Sequence, residues 1–340
     1  MMECYRDLEE KIWQPGLCAS CGACAAVCPT GAIEFVDYTP SYQGGCKVAD
    51  ECVPCSACYF SCPRLESLET GLIGSFQGIY GAVAVKRAAY AQSGGAVTSL
   101  LVSALEEGLV DGVLLLSVDR ASLKPRPVIA TRVEEVVQAA GSRYGWANVL
   151  EGLDEAVKSG LRRLAIVGTP CVIQSVHRIR NSNLDVLALY RESIRLTIGV
   201  FCSGIFYRIE DALKLHPWEV RKLDIHGKNA LVYHYGGVKE VPLKDLEGLP
   251  GCLPCLDFSA ELADISAGNM GTPEGHTTLI VRSDTGVWLT ARAVENGSLK
   301  LTREVETGVI AKAAARKKRK DSFDTLEAGG VLDYLLEERG

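Results

Sequence analysis

Beyond the first 75 or so residues, the chain alternates short apolar runs with stretches whose apolar residues recur every three or four positions. The pattern predicts a strand over Tyr80–Lys86 and a helix from Ala96 to Glu107, in which Val97, Leu100, Leu101, Ala104 and Leu105 share one face. Gly108 suits the helix stop, and Asp111-Gly112 turns into a buried strand, Val113–Val118. Helices are expected over Val133–Ala140 and Val149–Lys158, a strand over Leu164–Val167, and a helix from Thr169-Pro170 to Arg180. Arg195–Phe201 reads as a strand, and Val220–Ile225, Ala230–Tyr235 and Thr278–Arg282 as extended segments. Alternation of this kind predicts an α/β or α+β domain around a mixed sheet.

The N-terminal quarter follows a different rule, set by cysteine. Cys18, Cys21, Cys24 and Cys28 form one C-x-x-C-x-x-C-x-x-x-C-P run, and Cys52, Cys55, Cys58 and Cys62 form a second. This is the spacing of bacterial two-cluster ferredoxins, in which the fourth cysteine of each run ligates the other run's cluster. Cys18, Cys21, Cys24 and Cys62 are therefore assigned to one 4Fe–4S cluster, and Cys52, Cys55, Cys58 and Cys28 to a second. Zinc ribbons use two separated pairs instead, and disulfide frameworks belong to short secreted chains. Between the runs, residues 34–37 read as a short strand and 38–51 as a polar insertion. Residues 65–77 read as a linker. The expected division is a two-cluster ferredoxin-like domain over 1–75, a mixed α/β domain over 76–300 and a helical basic tail over 301–340.

At 340 residues the chain has room for a substantial core beyond the cysteine-rich part. A net charge of −6 gives no global argument for a nucleic-acid partner. The N-terminal MMECYRDLEEKIW lacks the apolar stretch of a signal peptide, and the apolar run Gly112–Val118 is too short to span a bilayer. A cytoplasmic, reducing and anaerobic setting is expected. Neither a G-x-G-x-x-G after a strand nor a P-loop is present. The basic run 312–320 reads most simply as a solvated helix face, or else as a docking patch for an acidic partner or anionic membrane.

Four further cysteines are dispersed. Cys171 and Cys202 each follow a predicted strand, and Cys252 and Cys255 form a C-x-x-C. Loops at the ends of neighbouring strands can converge, so these four fit a third cluster, a zinc site or buried redox thiols; spacing alone leaves all three open. Cys4 and Cys46 remain, most simply as free thiols, with Cys46 close in sequence to the second run.

The segments QSGGAVTSLLVSALEEGLVDGVLLL (92–116), KPRP (124–127), GSRYG (141–145), GTPC (168–171), GVFCSG (199–204) and GCLPCLDFSAELADISAGNMGTPEG (251–275) resemble the coenzyme F420 hydrogenase and dehydrogenase beta-subunit family. The resemblance implies FAD, one 4Fe–4S cluster on Cys171, Cys202, Cys252 and Cys255, and hydride exchange with coenzyme F420. With the ferredoxin segment fused in front, the chain looks like the input subunit of a reduced-F420 dehydrogenase, whose partner is a complex I-like membrane quinone or phenazine reductase. That reading implies a cytoplasmic chain seated peripherally on the membrane. A formate dehydrogenase beta subunit, or a ferredoxin-type carrier without enzymatic activity, are the alternatives. An F420-dependent sulfite reductase is disfavoured, because no further cysteine run follows the flavin part.

A flavin is the expected converter between a hydride donor and one-electron clusters. Ser93, Gly94 and Gly95 at a helix start present backbone donors to a pyrophosphate, and Thr98 adds a hydroxyl; an ordinary glycine cap is the plainer reading. Ser142, Arg143 and Tyr144 offer a phosphate-binding cation and a stacking ring, or form a simple turn. Asp264, Ser266, Gly268 and Asn269 offer polar groups near the flavin, or a helix-ending loop. Lys86, Arg87, Lys124, Arg126 and Arg143 are candidates for a basic rim that receives the anionic F420 tail.

Overall fold

The computed structural model describes residues 2–66, 71–89 and 91–319. Part of the expected linker (67–70) and the end of the basic run (Lys320) lie outside the described residues.

Two strands lie in the cysteine-rich segment, β1 (Ile33–Val36) and β2 (Thr39–Tyr42), paired as a hairpin. The larger part contributes β3 (Gly78–Ala84), β4 (Gly112–Val118), β5 (Pro125–Ala130), β6 (Leu164–Gly168) and β7 (Ile194–Val200). A three-stranded meander follows, β8 (Val220–His226), β9 (Asn229–His234) and β10 (Gly237–Pro242). The chain then returns to the main sheet with β11 (Ile265–Gly268), β12 (Thr277–Val281) and β13 (Leu299–Thr302).

The main sheet has the order β13-β3-β12-β11-β7-β6-β4-β5. β11, β7, β6 and β4 are mutually parallel. β12 is antiparallel to both β11 and β3, so β3 points the same way as the parallel group. β5 and β13 are antiparallel edges. The carboxyl ends of five strands therefore lie along one rim. In open α/β sheets that rim is where ligands bind.

Helices cover both faces. On one, Leu100, Leu101, Ala104 and Leu289 pack on Val113, Ile198 and Leu279. On the other, Leu150, Leu153, Val172 and Val176 pack on Leu114 and Ile166. This second core also takes in Ala23, Ala26, Val27 and Ala57 of the cysteine-rich segment. The segment is thus not hung on a linker but shares a core with the sheet domain.

Polar bonds close the same seam. Trp146 Nε1 donates to the Ser20 carbonyl at 3.0 Å and Ser175 Oγ to the Ser61 carbonyl at 2.7 Å. Gly251 lies so close that a Cβ there would stand 1.8 Å from the Cys18 carbonyl oxygen.

The predicted strands and helices appear within a few residues of their expected bounds, and the helix Pro170–Arg180 ends at the expected residue. β5, β10, β11, β13 and the helix Asp284–Glu295 were not predicted. Pro125 and Pro127 disguise β5, whose edge position tolerates them. The basic run belongs to the helix Thr307–Arg319, and its expected solvated face is corrected in part: Lys317 is only 1% exposed. Ile310 and Ala314 on that helix bury against Phe258.

Because a backbone oxygen cannot yield like a flexible side chain, Gly251→Ala is expected to destabilise the seam by about 1–3 kcal/mol. A lowered thermal midpoint of the anaerobically purified protein is the measurement. An unchanged midpoint would show that the seam is slack.

Candidate redox site

The sheet places Cys171 and Cys202 side by side. Cys171 begins the helix after β6 and Cys202 follows β7, its parallel neighbour. Cys252 and Cys255 approach from a 3-10 turn at Pro250–Cys252. Cys171, Cys252 and Cys255 are all electrostatic neighbours of Cys202. Burial pushes the Cys202 thiol up to about 12, and it raises Cys171 and Cys252 as well.

Cys255 differs. Burial works against its thiolate too, but the cations of Lys317 and Arg64 beside it bring the thiol below its ordinary range. Lys317 Nζ donates to the carbonyls of Cys202 (2.6 Å) and Asp257 (2.7 Å).

The cysteines assigned to the first ferredoxin-type set lie near one another. Cys24 is deeply buried with Cys18, Cys21 and Cys62 around it. Burial raises the Cys62 thiol to about 11. The second set is assembled only in part. Cys58 faces Cys28 and Cys55, but its third thiol neighbour is Cys46 and not Cys52. Cys52 is exposed.

The sets adjoin in a definite order. Cys18 and Cys21 of the first set neighbour Cys171 of the dispersed set. Cys24, on the other side, neighbours Cys58 of the second set. Arg64 lies at the first junction, next to Cys18, Cys62, Cys171, Cys252 and Cys255. Its Nη2 donates to the Gly251 carbonyl at 2.6 Å, while its Nε is buried without a partner among the described residues. Among the described residues no three His, Cys, Asp or Glu side chains are drawn together tightly enough to hold a single metal ion.

The flavin candidates divide into two groups. Ser93 (φ 48°) and Gly95 (φ 70°) form the left-handed turn ahead of the helix Ala96–Glu106, on the rim beyond β3. The Gly94 amide donates to Thr277 Oγ1 at 2.9 Å, and the Gly95 amide to the Gln92 carbonyl at 3.1 Å. The donors expected at these glycines are therefore already spent, one on β12 and one inside the turn. A Cβ on Gly94 would meet the Ala82 carbonyl at 2.1 Å, so this glycine serves close packing. The first-turn amides of Ala96, Val97 and Thr98 are the ones a helix start leaves without intrahelical partners.

Gln92, not foreseen from sequence, ties the turn to its surroundings. Its Oε1 accepts from the Ser142 amide at 2.7 Å, and its Nε2 donates to the Leu223 carbonyl at 2.5 Å. The 92–98 and 142–144 segments are thereby brought together. Tyr144 donates to Asp224 Oδ1 at 3.2 Å. Arg143 donates to the Ala139 and Ala140 carbonyls at 3.2 and 3.1 Å, while its Nε is buried without a partner among the described residues. Burial, and then Arg120, lower the Arg143 guanidinium to about 10.

The second group faces inward. Asp264 is 5% exposed and fully engaged: Oδ2 accepts from the Thr197 amide and hydroxyl (both 2.8 Å) and Arg180 (3.1 Å), and Oδ1 from Ser283 (2.6 Å). Ser266 Oγ donates to the Ala260 carbonyl at 3.0 Å and accepts from Arg282 Nε at 2.8 Å. Gly268 packs under the Phe201 ring, which a Cβ would meet at 2.0 Å. Asn269 alone is exposed. These residues form β11 and its flanks, so the alternative reading of a helix-ending loop does not hold.

Lys86 and Arg87 are exposed. Lys124 and Arg126 line a separate cleft of about 710 Å³ with Trp146, Glu34, Asp37 and Glu151, so that cleft is not uniformly basic.

Thiol sets gathered beside a rim of this kind suit an iron–sulfur oxidoreductase, and the comparisons with known proteins point to the same class. Residues 79–154 and 161–307 match the N-terminal and C-terminal parts of the coenzyme F420 hydrogenase/dehydrogenase beta subunit, and residues 11–34 match a 4Fe-4S binding domain. The beta subunit of coenzyme F420 hydrogenase from Methanothermobacter thermautotrophicus is 34% identical over 68% of this chain and 86% of its own. A protein of Methanocaldococcus jannaschii with no assigned function is 35% identical over 95% of this chain and 99% of its own. In the F420-reducing [NiFe] hydrogenase complex of Methanosarcina barkeri, a chain 30% identical superposes with a TM-score of 0.70 over 77% of this chain and 94% of that one. The chain belongs to the coenzyme F420 hydrogenase/dehydrogenase beta-subunit family, with a ferredoxin-like segment fused to a larger mixed α/β domain.

Asp264→Ala strands the donors of Thr197 on β7, Arg180 on the helix Pro170–Arg180 and Ser283 at a helix N-cap, and is expected to destabilise the protein by about 3 kcal/mol. Denaturant unfolding measures this. Loss of bound flavin with stability unchanged would instead make Asp264 a ligand contact.

Proposed function

We propose that this chain oxidises reduced coenzyme F420 by hydride transfer to a bound FAD and passes the electrons one at a time through three 4Fe–4S clusters to a partner subunit. The observation that carries the proposal is the contiguity of the thiol sets, with Cys18, Cys21, Cys24 and Cys62 between the other two. FAD supplies the conversion from hydride to single electrons. The cluster on Cys171, Cys202, Cys252 and Cys255 stands nearest the rim, the Cys18 set follows, and the set containing Cys28, Cys55 and Cys58 is the exit.

The donor chemistry fits the clusters. Buried thiols packed against one another resist ionising alone, and metal binding drives off their protons. The partnerless Arg64 Nε between two sets suits the sulfides of a cluster. For FAD, the amides of Ala96–Thr98, the Thr98 hydroxyl, Ser142 and the partnerless Nε of Arg143 suit a pyrophosphate. In this reading Ser93, Gly94, Gly95 and Tyr144 flank the same groups, which the bonds of Gln92 draw together. Asn269 is the one group on the β11 segment open to a ligand, while Asp264, Ser266 and Gly268 act through the sheet. Lys86 and Arg87 suit the anionic substrate tail.

The fused ferredoxin-like segment supports a complex I-like membrane quinone or phenazine reductase as electron acceptor. Among the described residues no helix is long and apolar enough to cross a membrane, so membrane contact in this reading runs through the partner. Oxidation of reduced F420, followed anaerobically with a dye and then with the native membrane fraction, tests both halves. No oxidation with either acceptor refutes the activity; oxidation with dye alone refutes the partner.

Two results are expected of the purified protein. It should hold about 12 iron atoms, counted as three cubanes, and one FAD. About 8 irons with one equivalent of zinc would remove the third cluster from the scheme. In Cys24→Ser, flavin reduction by F420 should stay fast while reduction of the partner collapses. Equal loss of both would refute the serial order.

A further inference from the structure

One pocket in the ferredoxin-like segment is lined by Cys28, Cys46, Cys55 and Cys58, with Cys4 and Tyr5 at its side. Cys52, the ligand expected from spacing, does not line it. The short helix Lys47–Glu51 explains the exchange, because the two cysteines stand at its opposite ends. Cys46 is the N-cap in extended backbone, and Cys52 is the C-cap in the left-handed region at φ 55°. The Val53 amide donates to the Lys47 carbonyl at 2.8 Å and closes the helix end with Cys52 turned outward.

Cys46 is fixed from several directions. Its amide donates to Asp50 Oδ2 at 2.8 Å, and the same carboxylate accepts from the Tyr42 hydroxyl. The Tyr42 ring stacks on Tyr5 with centroids 3.8 Å apart. Beyond the pocket, Ala32 donates its amide to Cys28 Sγ at 3.2 Å and steadies the ligand that arrives from the first run. Cys4 also reaches the pocket wall, but its thiol neighbour is Cys46, whereas Cys58 faces Cys28, Cys46 and Cys55.

We propose that Cys46, not Cys52, is the fourth protein ligand of the exit cluster, completing the set with Cys28, Cys55 and Cys58, and that Cys52 is an exposed thiol outside it. The proposal rests on the three-cluster reading above. Each of the four thiols loses its proton to solvent as its iron–sulfur bond forms. The insertion 38–51, which lengthens the gap between the two runs, thereby acquires a purpose: it carries the ligand.

The test compares the full chain with Cys46→Ala, Cys52→Ala and Cys4→Ala, all purified anaerobically. Iron content and the electron paramagnetic resonance of the reduced proteins are read together with alkylation of the native holoprotein. Cys52→Ala and Cys4→Ala should keep about 12 irons and the parent spectrum. Cys46→Ala should fall to about 8 irons or show a three-iron cluster, with the other two cluster signals intact as proof of folding. Alkylation should label Cys52 and spare Cys46. Iron loss in Cys52→Ala or Cys4→Ala, or its retention in Cys46→Ala, overturns the assignment. An unsubstituted chain that itself lacks the exit cluster overturns the three-cluster reading and this assignment with it. A ligand exchange in a chain holding all three clusters overturns this assignment alone.

Discussion

Arg64 stands where the ferredoxin-like segment meets the sheet domain, and the rest of the molecule depends on how its charge is accommodated. Taking a guanidinium out of water is costly. Burial accordingly works against the Arg64 charge, but thiolate charge on Cys255, Cys171 and Cys252 beside it favours the guanidinium and moves it above its ordinary range. The bond to the Gly251 carbonyl anchors the same group to the C-x-x-C turn. One side chain thus faces thiols of both domains, and Gly251 has no side chain because the Cys18 backbone occupies the space. The seam is built to bring two sets of cysteines together, and the shared apolar core of Ala23, Val27, Leu150, Leu153 and Val172 holds it closed.

The sheet supplies the second constraint. Parallel strands deliver their following loops to one rim, so Cys171 and Cys202 become neighbours although 31 residues separate them in sequence. The same rim carries the Gly95 turn and the start of the helix Ala96–Glu106, because β3 runs in the common direction. Gln92 then joins that turn to the 142–144 segment and to the meander. Dispersed residues acquire a common location through strand direction.

Legibility in the sequence followed the range of the forces involved. The first thiol run was readable because cluster geometry imposes a local spacing on its ligands. At Cys52 the local fold adds something that spacing does not carry: a five-residue helix leaves Cys52 exposed at its C-cap and sets its N-cap cysteine, Cys46, at the pocket. No spacing rule carries that information. Asp264 and Ser266 resembled ligand groups in sequence, yet their partners, Thr197, Arg180 and Arg282, are assembled only by the fold. Strands made of small residues or prolines, β11 and β5, hid because their fit comes from Phe201 above one and an edge position for the other. Lys317 looked like one more surface charge in a basic run, and only the packing of Ile310 and Ala314 turns it inward.

Lys317 has a consequence for the order in which the molecule is made. The thiols it serves, Cys202 and Cys255, leave the ribosome well before it does. Until the helix Thr307–Arg319 has been synthesised and has docked, the carbonyls of Cys202 and Asp257 lack their ammonium donor, and one wall of the thiol set is missing. The N-terminal runs have all their cysteines by residue 62, yet the core that covers them also needs Leu150, Leu153 and Val172. Order of assembly thus follows order along the chain: the wall beside Cys202 and Cys255 is completed by a residue 115 positions beyond Cys202, from a helix made after the segments it covers.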